Sequence, residues 1–194
     1  MTTVSINTSV SPLDGAQGGT GVSNTSKTLT LGATTSISSA GIITIPAVPT
    51  WSVYLNTSTS ADKTGDATSY NIIYDTININ NGSIFDGTST VTIPVTGNYE
   101  MSFTVTTYGY TLSHDRSYAY FLVNGAVVYM CQQNSGFTTT NSAEIMTVSG
   151  TMIINLSATD TVTTQINVGG GAKVIGVYGL ADAQTTRFSG RLIQ

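Results

Sequence analysis

Apolar and polar residues alternate in short runs along most of this chain. In YEMSFTV, Tyr99, Met101, Phe103 and Val105 fall on one side and Glu100, Ser102 and Thr104 on the other. A two-residue period is that of a strand with one face buried, so the first set is the predicted core face. Similar runs follow one another closely: WSVYL, YNIIYDTINI, TVTIPV, SYAYFLV, AVVYMC, EIMTVSGTMIINL, TVTTQINV, AKVIGVYGL and FSGRLI. Asn124-Gly125 stands between FLV and AVVYM, and both residue types tolerate positive φ, so the pair predicts a tight hairpin. Asn81-Gly82 after TININ predicts a second turn. No amphipathic helical run of useful length interrupts these strands. Many short strands with regular turns predict an all-β sandwich, jelly roll or barrel.

The pattern is thinner before residue 46. LTLGATTSISSAGIITI alternates weakly, through Leu29, Leu31, Ile37, Ile43 and Ile45. Strands so poor in apolar residues cannot build a core in one chain, but several chains could share a seam. Residues 1–45 are therefore expected to be a stalk or attachment segment, with a mobile tail as the competing reading for residues 1–25. PAVPT, carrying Pro46 and Pro49, predicts a stiff linker over 46–50. Residues 51–194 then form the head. Within it, Gly97 in VTGNY marks a tight turn before a core strand, and Pro94 suits an edge or bulge.

Composition sharpens the picture. Only 8% of residues are charged, against about 25% in average globular proteins. Ser, Thr, Asn and Gly take the surface role, and Thr fits strands. The net charge is −4 with six Lys and Arg, and no basic run exists, so nucleic-acid binding through phosphates is not expected. Cys131 is the single cysteine; it can form no intrachain disulfide, and it is expected to be a small core residue. MTTVSINTSVSP has neither a basic nor an apolar signal-peptide region, and no apolar run approaches the length of a membrane span. A surface of extracellular type without an export signal suggests a virion protein, extracellular after release.

The landmarks from Tyr74 onward resemble a known family. Tyr74, Asn80, Phe85, Val91, Gly97, Tyr99, Met101 and Phe103 follow a spacing similar to the signature of the complement-C1q-like globular head, a tumour-necrosis-factor-like jelly roll. Tyr74, Val91 and Met101 stand where that family usually has Phe, and the gap before Val91 is short by one residue. WSVYL resembles the family's first strand, SYAYFLVNGAVV its middle hairpin, and TTRFSGRLI, with Phe188 and Gly190, its last strand. The resemblance covers residues 51–194. It implies a jelly roll whose last strand lies inside the fold, and a homotrimer. Members often carry a collagen stalk, but no Gly-X-Y repeat is present here. GGTGVSNTSKTLTLGATTSIS instead resembles segments of bacteriophage tail fibres.

Chemical motifs are few. DGAQGGTGVS, residues 14–23, has no Gly-Lys-Ser/Thr ending and no strand and helix around it, so it does not read as a phosphate or dinucleotide loop. GGGAKV, residues 169–174, fails likewise and is expected to be a loop between strands. His114, the only histidine, adjoins Asp115 and Arg116. Sequence neighbours rarely converge into a relay and no strand–Ser–helix elbow exists, so a solvated loop is expected rather than a catalytic group. YGYTLSHDRSY, residues 108–118, concentrates Tyr and charge, and Tyr offers contact area at low entropy cost. Tyr108, Tyr110, His114, Asp115 and Arg116 are thus candidate ligand contacts, with a subunit-rim contact as the rival reading. Asp62, Asp66, Asp75, Asp86, Asp160 and Asp182 lack the spacing of a calcium loop; no cofactor is expected, and the family resemblance leaves a calcium site open but unplaced. Asn-x-Ser/Thr triplets at Asn7, Asn24, Asn56, Asn81 and Asn155 arise by chance in such a composition.

These readings combine into a non-enzymatic trimeric phage fibre head that binds a host surface glycan or protein, joined to other virion proteins through its N-terminal segment. Three weak sites in one rigid head would gain avidity. The alternatives are a purely structural trimerisation or decoration protein, and a bacterial surface or spore-coat adhesin of the same fold. A polysaccharide depolymerase would need converging carboxylates, and Glu100 and Glu144 are the only glutamates.

Overall fold

The computed structural model describes residues 29–30, 36–37, 43–44, 48–133 and 145–193. The chain divides into two compact units, Met1–Ala47 and Val48–Gln194. In the first, β1 (Leu29–Thr30), β2 (Ser36–Ile37) and β3 (Ile43–Thr44) form an antiparallel sheet in that order. Leu29 stands opposite Ile37, and Ile37 opposite Ile43. The Gly-rich stretch 14–23 lies outside the described residues.

The second unit is a sandwich of two antiparallel sheets, and no helix occurs among its described residues. One sheet runs β11 (Ile145–Leu156), β8 (Gly97–Tyr108), β14 (Arg187–Leu192), β4 (Thr50–Tyr54), β6 (Thr76–Asn81), with the short β13 (Gly176–Val177) also on β8. The other runs β10 (Ala126–Gln133), β9 (Arg116–Val123), β12 (Thr161–Gly169), β5 (Ser69–Asn71), with β7 (Val91–Thr92) also on β12. Consecutive strands often lie in different sheets, as in a jelly roll. The expected single strand YNIIYDTINI is an example: β5 and β6 belong to opposite sheets. Between them Ile72 and Tyr74 both face inward and are fully buried.

The alternation in β8 places Tyr99, Met101, Phe103 and Val105 in the core, as the pattern predicts. Phe103 meets Phe121 of the opposite sheet edge-to-face, with centroids 4.7 Å apart. Phe188 lies among Trp51, Tyr74 and Phe121; β14 is flanked by β8 and β4, so the last strand is internal. Gly190 stands opposite Trp51, and a Cβ there would come 2.3 Å from the indole. Only a residue without a side chain lets the indole lie over β14. The Asn124-Gly125 hairpin is present, with φ of 51° and 80°. β10, the edge of its sheet, carries a bulge between Val127 and Tyr129, a device that discourages edge pairing.

Candidate functional site

The segment leading from β8 into β9 carries the five candidate contacts, and the structure separates them. Tyr108, at the end of β8, is half-buried and donates to the Thr59 carbonyl at 2.5 Å. Tyr110 is enclosed: its hydroxyl shares hydrogen bonds with Thr107 at 2.8 Å and Ser117 at 2.6 Å. Burial raises its phenol pKa, and the bonds to Ser117 and Thr107 offset part of that rise. Its ring meets His114 edge-to-face.

His114 is 0% exposed, which corrects the expectation of a solvated loop. Its Nδ1 accepts the Thr111 main-chain N–H at 3.0 Å, and its Nε2 lies 3.1 Å from the Ala172 carbonyl. An acceptor at Nδ1 places the proton on Nε2, which then donates to Ala172. The imidazole thereby ties this segment to the GGGAKV loop, and a Cβ on Gly171 would sit 2.5 Å from Nε2. The glycines of that loop admit a histidine ring rather than a phosphate. Tyr110 and His114 are therefore buried clasp residues rather than exposed side chains. Asp115 and Arg116 remain at the surface, paired at 2.9 Å.

Beyond Arg116, Tyr118 and Tyr120 occupy the partly exposed outward positions of β9, while Ser117, Ala119 and Phe121 point inward. The Tyr118 and Tyr120 rings lie 6.1 Å apart with planes 29° from parallel. Tyr120 stands opposite Gln165 of β12 on one side and Met130 of β10 on the other; Tyr118 stands opposite Asn167. Gln165 donates to the Asn71 side-chain oxygen at 2.9 Å, and Asn167 donates to Ser69 Oγ at 3.0 Å and the Ala67 carbonyl at 2.7 Å. This outer face of the five-stranded sheet is a row of two phenols beside a row of fixed amides. The parity of SYAYFLV and TVTTQINV could have located it, since Tyr118, Tyr120, Gln165 and Asn167 all occupy outward positions.

The outer face of the six-stranded sheet is different. Ser102 and Ser189 share a hydrogen bond at 2.9 Å at its middle, and Ser149 donates to Thr104 at 3.2 Å. Ser52 and Thr151 extend the central row across β4 and β11. A shallow trough of about 420 Å³ crosses it, floored by Ser52, Ser102, Thr151 and Ser189 and bordered by Ile79, Glu100 and Arg191. Arg191 and Glu100 pair at 2.8 Å.

The signature residues are structural. Tyr74 shares a hydrogen bond with Thr164 at 2.6 Å, and its burial drives its pKa up against that bond. Asn80 accepts the Phe85 N–H and donates to the Phe85 carbonyl, at 3.0 and 3.2 Å. Tyr99 donates to the Val95 carbonyl at 2.8 Å, closing the turn before Gly97 opens β8. Cys131 is only partly buried, on the rim of the core. Among the described residues, no three His, Cys, Asp or Glu converge as metal ligands. The carboxylates of Asp66, Asp75, Asp86 and Asp160 instead accept main-chain N–H groups.

The C1q-domain profile matches residues 53–193. The chain belongs to the C1q-domain family. The globular domain of zebrafish complement 1qA protein is similar in fold, with a TM-score of 0.50 at 19% identity, covering 76% of this chain and 98% of that one. Murine APRIL at pH 8.5 also gives 0.50, at 11% identity, covering 75% and 99%. No curated protein matches the sequence. Domains of the C1q and tumour-necrosis-factor-like type are generally non-enzymatic binding modules and usually assemble as homotrimers. The jelly roll and internal last strand of this C1q domain agree with the sequence reading.

Proposed function

We propose that this chain is a non-enzymatic binding head that assembles as a homotrimer, is carried on its N-terminal segment as part of a phage fibre, and attaches to a molecule on the host surface. The observation that supports assembly is the outer face of the six-stranded sheet. Its small hydroxyls are bonded to one another, its single ion pair is internally balanced, and it presents the shallow trough bordered by Ile79. Such a face can be covered by another copy at little desolvation cost. Burying it would also account for how a chain with 8% charged residues stays dispersed. The fibre reading rests on the GGTG-containing segment ahead of the head and on the polar, charge-poor composition. Binding through three equivalent heads converts weak contacts into firm attachment.

Light scattering on the purified chain is expected to give three times the chain mass of 20.2 kDa; a monomer at micromolar concentration overturns the assembly. Pre-incubating host cells with purified head is expected to block virion adsorption. Undiminished adsorption would reject the receptor-binding role and leave a structural one.

A further inference from the structure

We propose that the outer face of the five-stranded sheet, centred on Tyr118, Tyr120, Gln165 and Asn167, binds a neutral saccharide chain. This rests on the binding-head reading above and adds a place and a ligand class to it.

Three observations lead there. First, two partly exposed phenols lie side by side, with ring planes 29° from parallel. Neither hydroxyl donates a hydrogen bond to another described residue, so both remain available to a ligand. A sugar ring offers an apolar C–H face to an aromatic ring and hydroxyls at its edge, and Tyr is suited to both. Second, the amides next to the rings are already fixed by their own ladder. Gln165 spends one donor on Asn71, and Asn167 spends its amide hydrogens on Ala67 and Ser69. That leaves the Gln165 and Asn167 oxygens as acceptors and the Asn71 amide nitrogen as a donor. Hydroxyls, which both donate and accept, satisfy such a mixed row, and pre-ordered side chains lose little freedom on binding.

Third, the face is electrically balanced. Arg116 is the one charged side chain on these rows, and its guanidinium lies against Gly169, where a Cβ would come 2.7 Å from Cζ. Asp115 balances it at 2.9 Å. An acidic polymer would find a single, already paired cation, and a cationic one would find no acidic cluster. Charge complementarity thus selects an uncharged polyhydroxylated partner. The exposed apolar side chains lie at the margins, at Val127, Val128 and Met130 of the edge strand and at Ile73 beyond β5, rather than in a closed anchor pocket of the kind protein partners use.

The test is an NMR titration of the intact chain with maltotriose, cellotriose, mannotriose and chitotriose, run beside binding of the head to intact bacterial cells. At least one saccharide is expected to shift the side-chain amide signals of Asn71, Gln165 and Asn167 and the ring signals of Tyr118 and Tyr120. Tyr118→Ala and Tyr120→Ala should each weaken binding about tenfold or more, whereas Tyr118→Phe, which keeps the ring, should lose less. Thermal melting of each variant checks that the sandwich is intact. Saccharide shifts confined to residues 108–116, or none from any sugar, overturn the proposal. So does cell binding that survives the double alanine variant and resists saccharide competition, which would leave the head a binder of another ligand. A head that binds no cells would instead count against the function proposed above, while the titration would still decide this inference.

Discussion

The two outer faces of the sandwich are built from the same strand geometry but expose opposite chemistries. On the six-stranded sheet the outward side chains at the centre are Ser and Thr, short groups that bond to their neighbours. On the five-stranded sheet they are Tyr, Gln, Asn and Met, longer groups with polar atoms left over. A self-satisfied flat face can be covered without leaving polar groups unpaired, whereas a face with unspent donors and aromatic area rewards a ligand. One face therefore suits assembly and the other capture, and a sheet needs no change of backbone to do either.

The sharpest way to break this contrast is to load the hydroxyl face with charge. Ser102→Arg together with Ser189→Arg should convert trimers to monomers in light scattering while the far-ultraviolet spectrum stays β-like. Binding to a surface should then weaken by about 10²–10⁴-fold through lost avidity, though each head keeps its own site. If the monomer binds cells as firmly as the parent, the division of labour between the faces is wrong.

A smaller effect is expected at the clasp, which belongs to neither face. Gly171→Ala drives a methyl against His114, and overpacking there should cost about 1–3 kcal/mol, read from denaturant unfolding. Saccharide titration of that variant should be unchanged if the capture site lies on the sheet and not on this segment.

Acid offers a milder probe of the five-stranded sheet. Asp160 accepts from the Asn124 side chain at 2.8 Å and from the Ser157 N–H at 2.8 Å, and these bonds hold its carboxyl below the usual range. A lowered folded-state pKa contributes stability above the unfolded value, which is lost as pH falls through the folded one. The melting temperature should therefore drop as pH falls below about 4, and Asp160→Asn should flatten that drop. The smallest effect is expected for Arg191→Ala with Glu100→Ala, an exposed pair, at less than about 1 kcal/mol in monomer stability.

Much of this architecture could be read along the chain because its cause is local. Parity alone assigned Tyr99, Met101, Phe103 and Val105 to the core, and Asn124-Gly125 marked its hairpin through the two residues' own conformational preferences. The break between β5 and β6 could not be read in this way. Ile72 and Tyr74 keep the alternation of a strand, yet their main-chain N–H groups go to Thr164 and Thr88, on separate segments. A pattern that is satisfied on both sides of a crossover carries no sign of it. The clasp was hidden for a related reason: the partner of His114 lies 58 residues away, and its flanking Asp115 and Arg116 suggest solvent. Tyr118 and Tyr120 were legible by parity, but their significance depends on Gln165 and Asn167, which only the pairing of β9 with β12 brings alongside.

The enclosure of His114 has a practical consequence. A chain with one imidazole has one C2 proton resonance and one site for an imidazole-directed acylating reagent. Because that ring is sealed between two loops, labelling should proceed only when this end of the sandwich opens, and its rate measures how often that happens. The molecule thus carries its own gauge of local opening, set apart from the outer faces of both sheets.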